Sequence, residues 1–291
     1  MHLADFLESG LADEPFAVVL GHPVSHSRSP LIHTVSLAYH KIPAKYYAVA
    51  CPPDQLHLLA RLFEAPCFIG ANVTIPLKER IVPFLDVLDE TARKIGAVNT
   101  VVPDSSNACL TGYNTDAYGF LKPLESVDRI EKAVILGTGG AARAAIFGLA
   151  GRGCRVFHVA SRTAGRRDLS DLFGNCIHQI TYDQLGDAIR NADLLVNTTP
   201  VGMHPDIDLS PVPEHLIPLL KDKVCYDIIY NPMETTLLRL AAGNGAKTIG
   251  GLEMFLYQAA RSFELWFGKP MPVDLVRTKM LESPAINPGA D

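Results

Sequence analysis

Short, nearly unbroken apolar runs recur along this chain, and between them lie segments whose apolar positions return every three or four residues. Phe16–Leu20, Lys45–Ala50 and Cys67–Ile75 read as strands. Pro30–Tyr39, Asp54–Glu64 and a stretch from about Leu77 read as helices, the first with Ser29 as N-cap and Pro30 at its first position. Ala97–Val102 and the segment near Leu110 predict a hairpin. This alternation predicts an α/β domain over residues 1–115.

From Asp116 the pattern sharpens. Tyr118–Leu124 predicts a short helix, and Val134-Ile-Leu136 enters a glycine-rich turn that leaves as a helix of small residues. Arg155–Ala160, Asp193–Asn197 and Val224–Ile229 predict further strands. Such runs, each followed by helical periodicity, predict a doubly wound, Rossmann-type parallel sheet over residues 116–250. Gly251–Phe267 is helical again and is predicted to return to the first domain, so that residues 251–291 join 1–115. The proline-rich tail after Pro284 predicts a frayed end.

The turn itself reads Gly137-Thr138-Gly139-Gly140-Ala141-Ala142, a G-x-G-x-x-A pattern. Gly137 permits the tight turn, Gly139 lets a pyrophosphate approach the backbone, and Ala142 lets the helix lie close on the strand. In that strand–turn–helix setting the pattern predicts a dinucleotide site. An NAD site needs an acid about twenty residues on, at the end of the second strand. Here that strand ends Ala160-Ser161-Arg162-Thr163, with Arg166 and Arg167 beyond it and no acid in reach. Guanidinium groups there favour a 2′-phosphate, and hence NADP.

Composition narrows the class without changing the architecture. The 291 residues are 48% hydrophobic and 20% charged, enough apolar material for two cores. A formal charge of −5 gives no reason to expect nucleic acid or an anionic membrane as partner. No apolar run approaches the ~20 residues that span a bilayer. The start, MHLADFLESGLADEP, is acidic where a signal peptide is basic and then apolar. Six cysteines without a C-x-x-C spacing predict buried, reduced thiols and a cytoplasmic protein, and no metal site is expected.

The first domain carries a second group of candidate residues. In Gly70-Ala-Asn-Val-Thr-Ile-Pro-Leu-Lys-Glu79, Asn72 and Thr74 share one face at the end of a strand. Lys78 follows at the expected first turn of a helix, where an ammonium opposes the helix dipole. Such a place suits it to proton transfer, the ordinary alternative being a solvated lysine. Ser27, Ser29, Asn99, Thr100 and Asn114-Thr115-Asp116 fall at strand and loop ends. Each has a local reading as a cap or a turn. Together they describe a site for a small polyhydroxylated molecule.

The blocks Gly21-His-Pro-Val-Ser-His-Ser-Arg-Ser-Pro30, Asn72-Val-Thr-Ile-Pro-Leu-Lys78, Gly96-Ala-Val-Asn-Thr100 and Gly112-Tyr-Asn-Thr-Asp116 resemble those of shikimate dehydrogenases. So do the glycine turn, Asn197-Thr-Thr-Pro-Val-Gly-Met203, Asp227-Ile-Ile-Tyr-Asn-Pro232 and Gly251-Leu-Glu-Met-Phe-Leu-Tyr-Gln258. The resemblance runs in order from about Phe16 to Gln258. It implies NADP-dependent reduction of 3-dehydroshikimate to shikimate, on the way to aromatic amino acids, by a monomer or homodimer. It implies Lys78 and Asp116 as the catalytic pair and Ser27 and Ser29 as ligands of the substrate carboxylate. Thr74, Asn99 and Gln258 would meet substrate hydroxyls with Asn72 beside them, and Tyr230 would lie near the carboxylate. For the cofactor it implies Gly137, Thr138, Gly139, Gly140, Ala141, Ser161, Arg162, Thr163, Arg166 and Thr198, with Gly251 and Met254 on the nicotinamide side.

Two departures stand out. Ser161-Arg162-Thr163 keeps the arginine of the family's Asn-Arg-Thr phosphate clamp but not its first residue, and Gly250 and Glu253 alter the last block. Two other readings remain open at this stage. One is a quinate/shikimate dehydrogenase using NAD or NADP, and the other a catalytically silent NADP-binding sensor on the same fold. The paired Ser27 and Ser29 and Arg162 argue against the first; intact Lys78 and Asp116 argue against the second.

Overall fold

A computed structural model describes residues 1–104, 109–161 and 169–283. The chain forms two compact units, Met1–Thr115 with Gln258–Asp291, and Asp116–Tyr257. In the first unit α1 (Leu3–Glu8) precedes β1 (Phe16–Gly21), α2 (Ser29–Tyr39), β2 (Lys45–Ala50), α3 (Leu59–Phe63) and β3 (Phe68–Val73). β4 (Val87–Leu88), α4 (Glu90–Ile95), β5 (Thr100–Asp104) and β6 (Cys109–Tyr113) follow. The strand order is β2-β1-β3-β5-β6-β4, parallel through β2, β1 and β3 and antiparallel from β3 to β5 and from β5 to β6. Every residue of β1 is buried, which is why FAVVLG has no polar member. Phe6, Phe16, Leu20, Val49, Leu62 and Phe68 share one core. At the carboxyl end of β3 the antiparallel register sets Asn72 opposite Thr100.

The second unit holds α5 (Asp116–Leu121), β7 (Lys132–Leu136), α6 (Gly140–Gly151), β8 (Val156–Ala160), α7 (Ser170–Phe173) and β9 (Ile177–Ile180). It continues with α8 (Leu185–Arg190), β10 (Leu194–Asn197), β11 (Val224–Asp227), α9 (Thr236–Gly243) and β12 (Lys247–Ile249). Its order, β12-β11-β10-β7-β8-β9 with every neighbouring pair parallel, reverses direction between β7 and β10. That reversal is where a doubly wound sheet opens its ligand crevice. β7 is apolar on both faces because both are covered. Ala133 and Ile135 enter one core with Leu149 and Phe157, and Val134 and Leu136 the other with Leu185 and Leu195. Side chains of that size buried so fully each contribute roughly 1.5–3 kcal/mol relative to exposure. The chain then runs through α10 (Leu252–Phe267) and α11 (Val273–Glu282).

Several local expectations need correction. No α-helix follows Leu77: Ile81 N–H closes one turn on Leu77 O, and a 3-10 turn spans Val82–Phe84. Pro83 lacks the N–H a helix would need and disfavours helical geometry at Val82. The helix expected at Asp54 starts as a 3-10 turn over Pro53–Leu58, with Gln55 N–H bonded to Pro52 O, and becomes α-helical only at Leu59. Ser29 is the first residue of α2 and does not cap it with its side chain. β11 stops at Asp227, two residues early, because the Asp227 carboxylate takes the Ile229 N–H at 3.1 Å and turns the chain out of the sheet. The return to the first unit, expected at residue 251, falls at Gln258, partway along α10. α11 was not anticipated, and the tail after Pro284 lies outside the described residues.

Candidate active site

In the first unit Asn72, Asn99 and Gln258 converge where β3, β5 and the second half of α10 meet. Asn99, 2% exposed, accepts the Thr115 N–H at 2.7 Å through Oδ1, which fixes the amide so that Nδ2 faces Thr115 Oγ1 at 2.9 Å and Gln258 Oε1 at 3.5 Å. Asn72 is buried with both ends of its amide engaged. Its Oδ1 accepts the Tyr46 hydroxyl at 2.7 Å, and its Nδ2 donates to Ser262 Oγ at 2.9 Å and Thr100 Oγ1 at 3.3 Å. Ser29 is buried and Ser27 half-buried, with Ser27 Oγ accepting the Ser29 N–H at 3.3 Å.

Thr74 and Lys78 leave the end of β3 together. Thr74 N–H donates to Leu20 O at 2.8 Å, and Thr74 O accepts the Leu77 N–H at 2.8 Å. Lys78 is half-buried in the turn beyond, held through its carbonyl by Val98 N–H at 2.7 Å, one residue before Asn99. With no helix there, its placement owes nothing to a helix dipole. The lysine is tied to the same backbone segment that carries Asn99. On the neighbouring helix face, His33 stacks on Tyr46 at 4.2 Å, and burial lowers its imidazole to about 3, so the ring is neutral. Burial also raises the Tyr46 phenol well above its ordinary range.

The second unit's residues gather at the strand reversal. Gly137 follows β7 with φ of 107°, and a Cβ there would stand 2.7 Å from Thr198 Oγ1. Thr198, just past β10, donates both its N–H and its hydroxyl to Leu136 O, at 3.0 and 2.6 Å. The two loops are thereby stitched side by side. Gly139 precedes the first turn of α6, no side chain caps that turn, and nothing lies within 4 Å of where its Cβ would be. Open space above main-chain donors at a twelve-residue helix fits a pyrophosphate. Thr138, Gly140 and Ala141 belong to the same turn, and Ser161 ends the path from β8; Arg162, Thr163 and Arg166 lie outside the described residues.

Asp116 opens α5 and is 4% exposed. Tyr230 stacks on Phe255 at 4.1 Å, and Met254 is packed into the core beside Tyr226 and Phe120. Gly251 sits against the chain leaving β11: a Cβ would be 2.0 Å from Ile228 O, so no other residue fits.

Sequence reasoning missed Asp227. It is fully buried beside Asn197 in the β10/β11 register, accepting Asn197 Nδ2 at 3.0 Å, Ile229 N–H at 3.1 Å and Thr235 Oγ1 at 2.8 Å. Burial pushes its carboxyl up to about 6, against the pull of those three donors. Asn197 Oδ1 in turn holds Thr199 N–H at 3.0 Å, so one buried pair shapes the loops carrying Thr198 and Tyr230. The available signal was a polar residue closing each of two adjacent apolar strands. Among the described residues no helix is long and apolar enough to cross a membrane, and no cluster of three His, Cys, Asp or Glu side chains is placed to hold a metal.

Comparison with known proteins adds independent findings. The Shikimate dehydrogenase substrate binding domain matches residues 19–101, and the Shikimate 5'-dehydrogenase C-terminal domain matches residues 251–281. The Shikimate dehydrogenase (NADP(+)) of Moorella thermoacetica is 40% identical over 288 residues, covering 96% of each chain. That of Nitrobacter hamburgensis is 44% identical over 261 residues, 87% of this chain and 88% of its own. The crystal structure of shikimate 5-dehydrogenase from Thermus thermophilus in complex with NADP(H) and shikimate is similar at a TM-score of 0.79 and 36% identity, covering 91% of this chain and 97% of that one.

Proposed function

The chain belongs to the shikimate dehydrogenase family, and from that premise we propose that it catalyses the reversible NADP-dependent reduction of 3-dehydroshikimate to shikimate. The observation that carries this is the likeness to an NADP(+)-dependent relative across nearly the whole chain, 96% of it. The nicotinamide, when bound, supplies or takes up the hydride.

The remaining roles are assigned to this chain's own residues. In the reductive direction negative charge develops on the ring ketone oxygen, and Lys78 and Asp116 act as the acid–base pair that supplies its proton. Asp116 is the carboxylate partner of the pair. Ser27 and Ser29 bind the substrate carboxylate, with Tyr230 near it. Thr74, Asn99 and Gln258 meet the ring hydroxyls. Asn99 supports this role because the Thr115 N–H holds its oxygen and turns Nδ2 towards Gln258 Oε1, the other amide assigned to the ring hydroxyls. Gly137 to Ala141 with Thr198 cradle the pyrophosphate, Gly251 and Met254 serve the nicotinamide side, and Ser161, Arg162, Thr163 and Arg166 read the 2′-phosphate. The six free cysteines support a cytoplasmic setting, and the enzyme acts as a monomer or homodimer, which light scattering on the purified protein would assign.

The direct test supplies purified protein with 3-dehydroshikimate and NADPH and identifies the product by chromatography. Shikimate formed in step with NADPH loss is the expected result; NADPH left unconsumed overturns the reading.

A further inference from the structure

Beneath the residues proposed to touch substrate runs a buried seam of hydroxyls and amides that sequence reasoning did not connect. At one end His33, one turn beyond Ser29 on α2, stacks on the Tyr46 ring at 4.2 Å. The phenol donates to Asn72 Oδ1 at 2.7 Å, and Asn72 Nδ2 donates to Ser262 Oγ at 2.9 Å. At the other end Ser262 lies one turn beyond Gln258 on α10 and donates to the Gln258 carbonyl at 3.1 Å. Ser262 also meets Thr100 Oγ1 at 2.8 Å, and Thr100 bonds Asn99 Oδ1 at 3.1 Å. Tyr46, Asn72 and Ser262 are buried, and both ends of the Asn72 amide are already taken up, by Tyr46 on one side and by Ser262 and Thr100 on the other. His33 completes the seam from the side: neutral, buried and stacked on Tyr46, it holds the phenol ring flat so that its hydroxyl meets Asn72.

We propose that Tyr46, Asn72 and Ser262 are positioning residues that fix the separation between Ser29 and Gln258, and that Asn72 acts through them and does not touch substrate. The inference rests on the reading of Ser29 and Gln258 as substrate ligands. Its physical basis is that the Asn72 amide is bound at both ends, its oxygen by the Tyr46 hydroxyl and its nitrogen by Ser262 and Thr100, so one orientation is fixed. A ligand site mounted on such a seam is preorganised. Loss of one hydroxyl leaves a buried acceptor unmatched and lets the two ends drift.

Tyr46→Phe removes only the phenol hydroxyl, and Ser262→Ala only the serine hydroxyl. In steady-state kinetics with shikimate and NADP+, each is expected to raise the shikimate KM about tenfold while the NADP+ KM stays within about twofold, most of the loss in kcat/KM being carried by KM. Calorimetric titration of shikimate into each folded variant should show the same weakening. A shikimate KM within about twofold of wild type in both variants overturns the proposal, as does a parallel rise in both KM values, which marks general loosening. If one variant fails to fold, the other decides. A wild type that does not oxidise shikimate removes the functional reading itself, whereas an active wild type with indifferent variants removes only the seam.

Discussion

In the first unit the groups proposed to meet substrate are side chains, Ser29, Asn99 and Gln258 among them, and Asn99 is set by both the Thr115 N–H and neighbouring side chains. In the second unit the groups proposed to meet the cofactor are mainly main-chain amides of the turn from Gly137 to Ala141, placed by two parallel strands and one threonine. The contrast follows from what each ligand offers. A pyrophosphate is a diffuse anion that any row of N–H groups at a helix start can hold. A small ring with several hydroxyls is distinguished only by donors and acceptors at set positions. Substitutions in the first unit should therefore act singly and selectively, and those in the second chiefly where they move backbone.

The largest effect is expected at Lys78. Lys78→Ala should lower kcat about a thousandfold, within the usual range for losing a general acid, with NADP+ affinity unchanged within about twofold. Steady-state rates beside an NADP+ titration check this, and turnover near wild type removes Lys78 from the mechanism. Gly137→Val should come next. Its φ of 107° and the 2.7 Å approach to Thr198 Oγ1 leave no room for a side chain. NADP+ should bind about a hundredfold more weakly while calorimetric shikimate binding to the free enzyme persists. Equal loss of both ligands would erase the contrast between the units.

Asp227 sharpens the comparison because it is a buried carboxylate that holds Asn197 and the Ile229 N–H on the cofactor side. Its folded pKa of about 6 lies above the ordinary 3.8, so the folded chain holds the proton more tightly than the unfolded chain. The stability linked to that proton is complete below pH about 4 and is lost as pH rises towards about 6. Relative to Asp227→Asn, which cannot titrate, wild type should lose about 1–3 kcal/mol of unfolding free energy across that window. Urea unfolding of both proteins at several pH values measures it; a difference that stays flat, or rises with pH, contradicts the assignment. The smallest effect is expected at Arg162. Arg162→Ala should reduce the preference for NADP+ over NAD+ about tenfold, and an unaltered preference would assign the 2′-phosphate to other residues.

How much of this was legible in the sequence differs between the units for the same reason. The parallel sheet and its glycine turn follow from local pattern, because strand, turn and helix are consecutive in the chain, whereas Thr198 came only from the family resemblance. The first unit's α/β alternation was legible too, but the environment of its site was not. Asn72 lies 26 positions from Tyr46 and 190 from Ser262, and the three meet only through the register of β2, β1 and β3 and the path of α10. Lys78 was found by position, yet the helix expected beneath it was wrong because Pro83 blocks the turn that would propagate it. Asp227 was passed over because the expected strand ran on to Ile229, and only its three donors show that the chain turns there.

The most direct test follows nicotinamide absorbance with purified protein in four pairings, shikimate or quinate with NADP+ or NAD+. Reduction should be fastest with shikimate and NADP+, with both the change of acid and the change of cofactor lowering kcat/KM. No signal with shikimate and NADP+, or a higher kcat/KM with quinate and NAD+, would contradict the account.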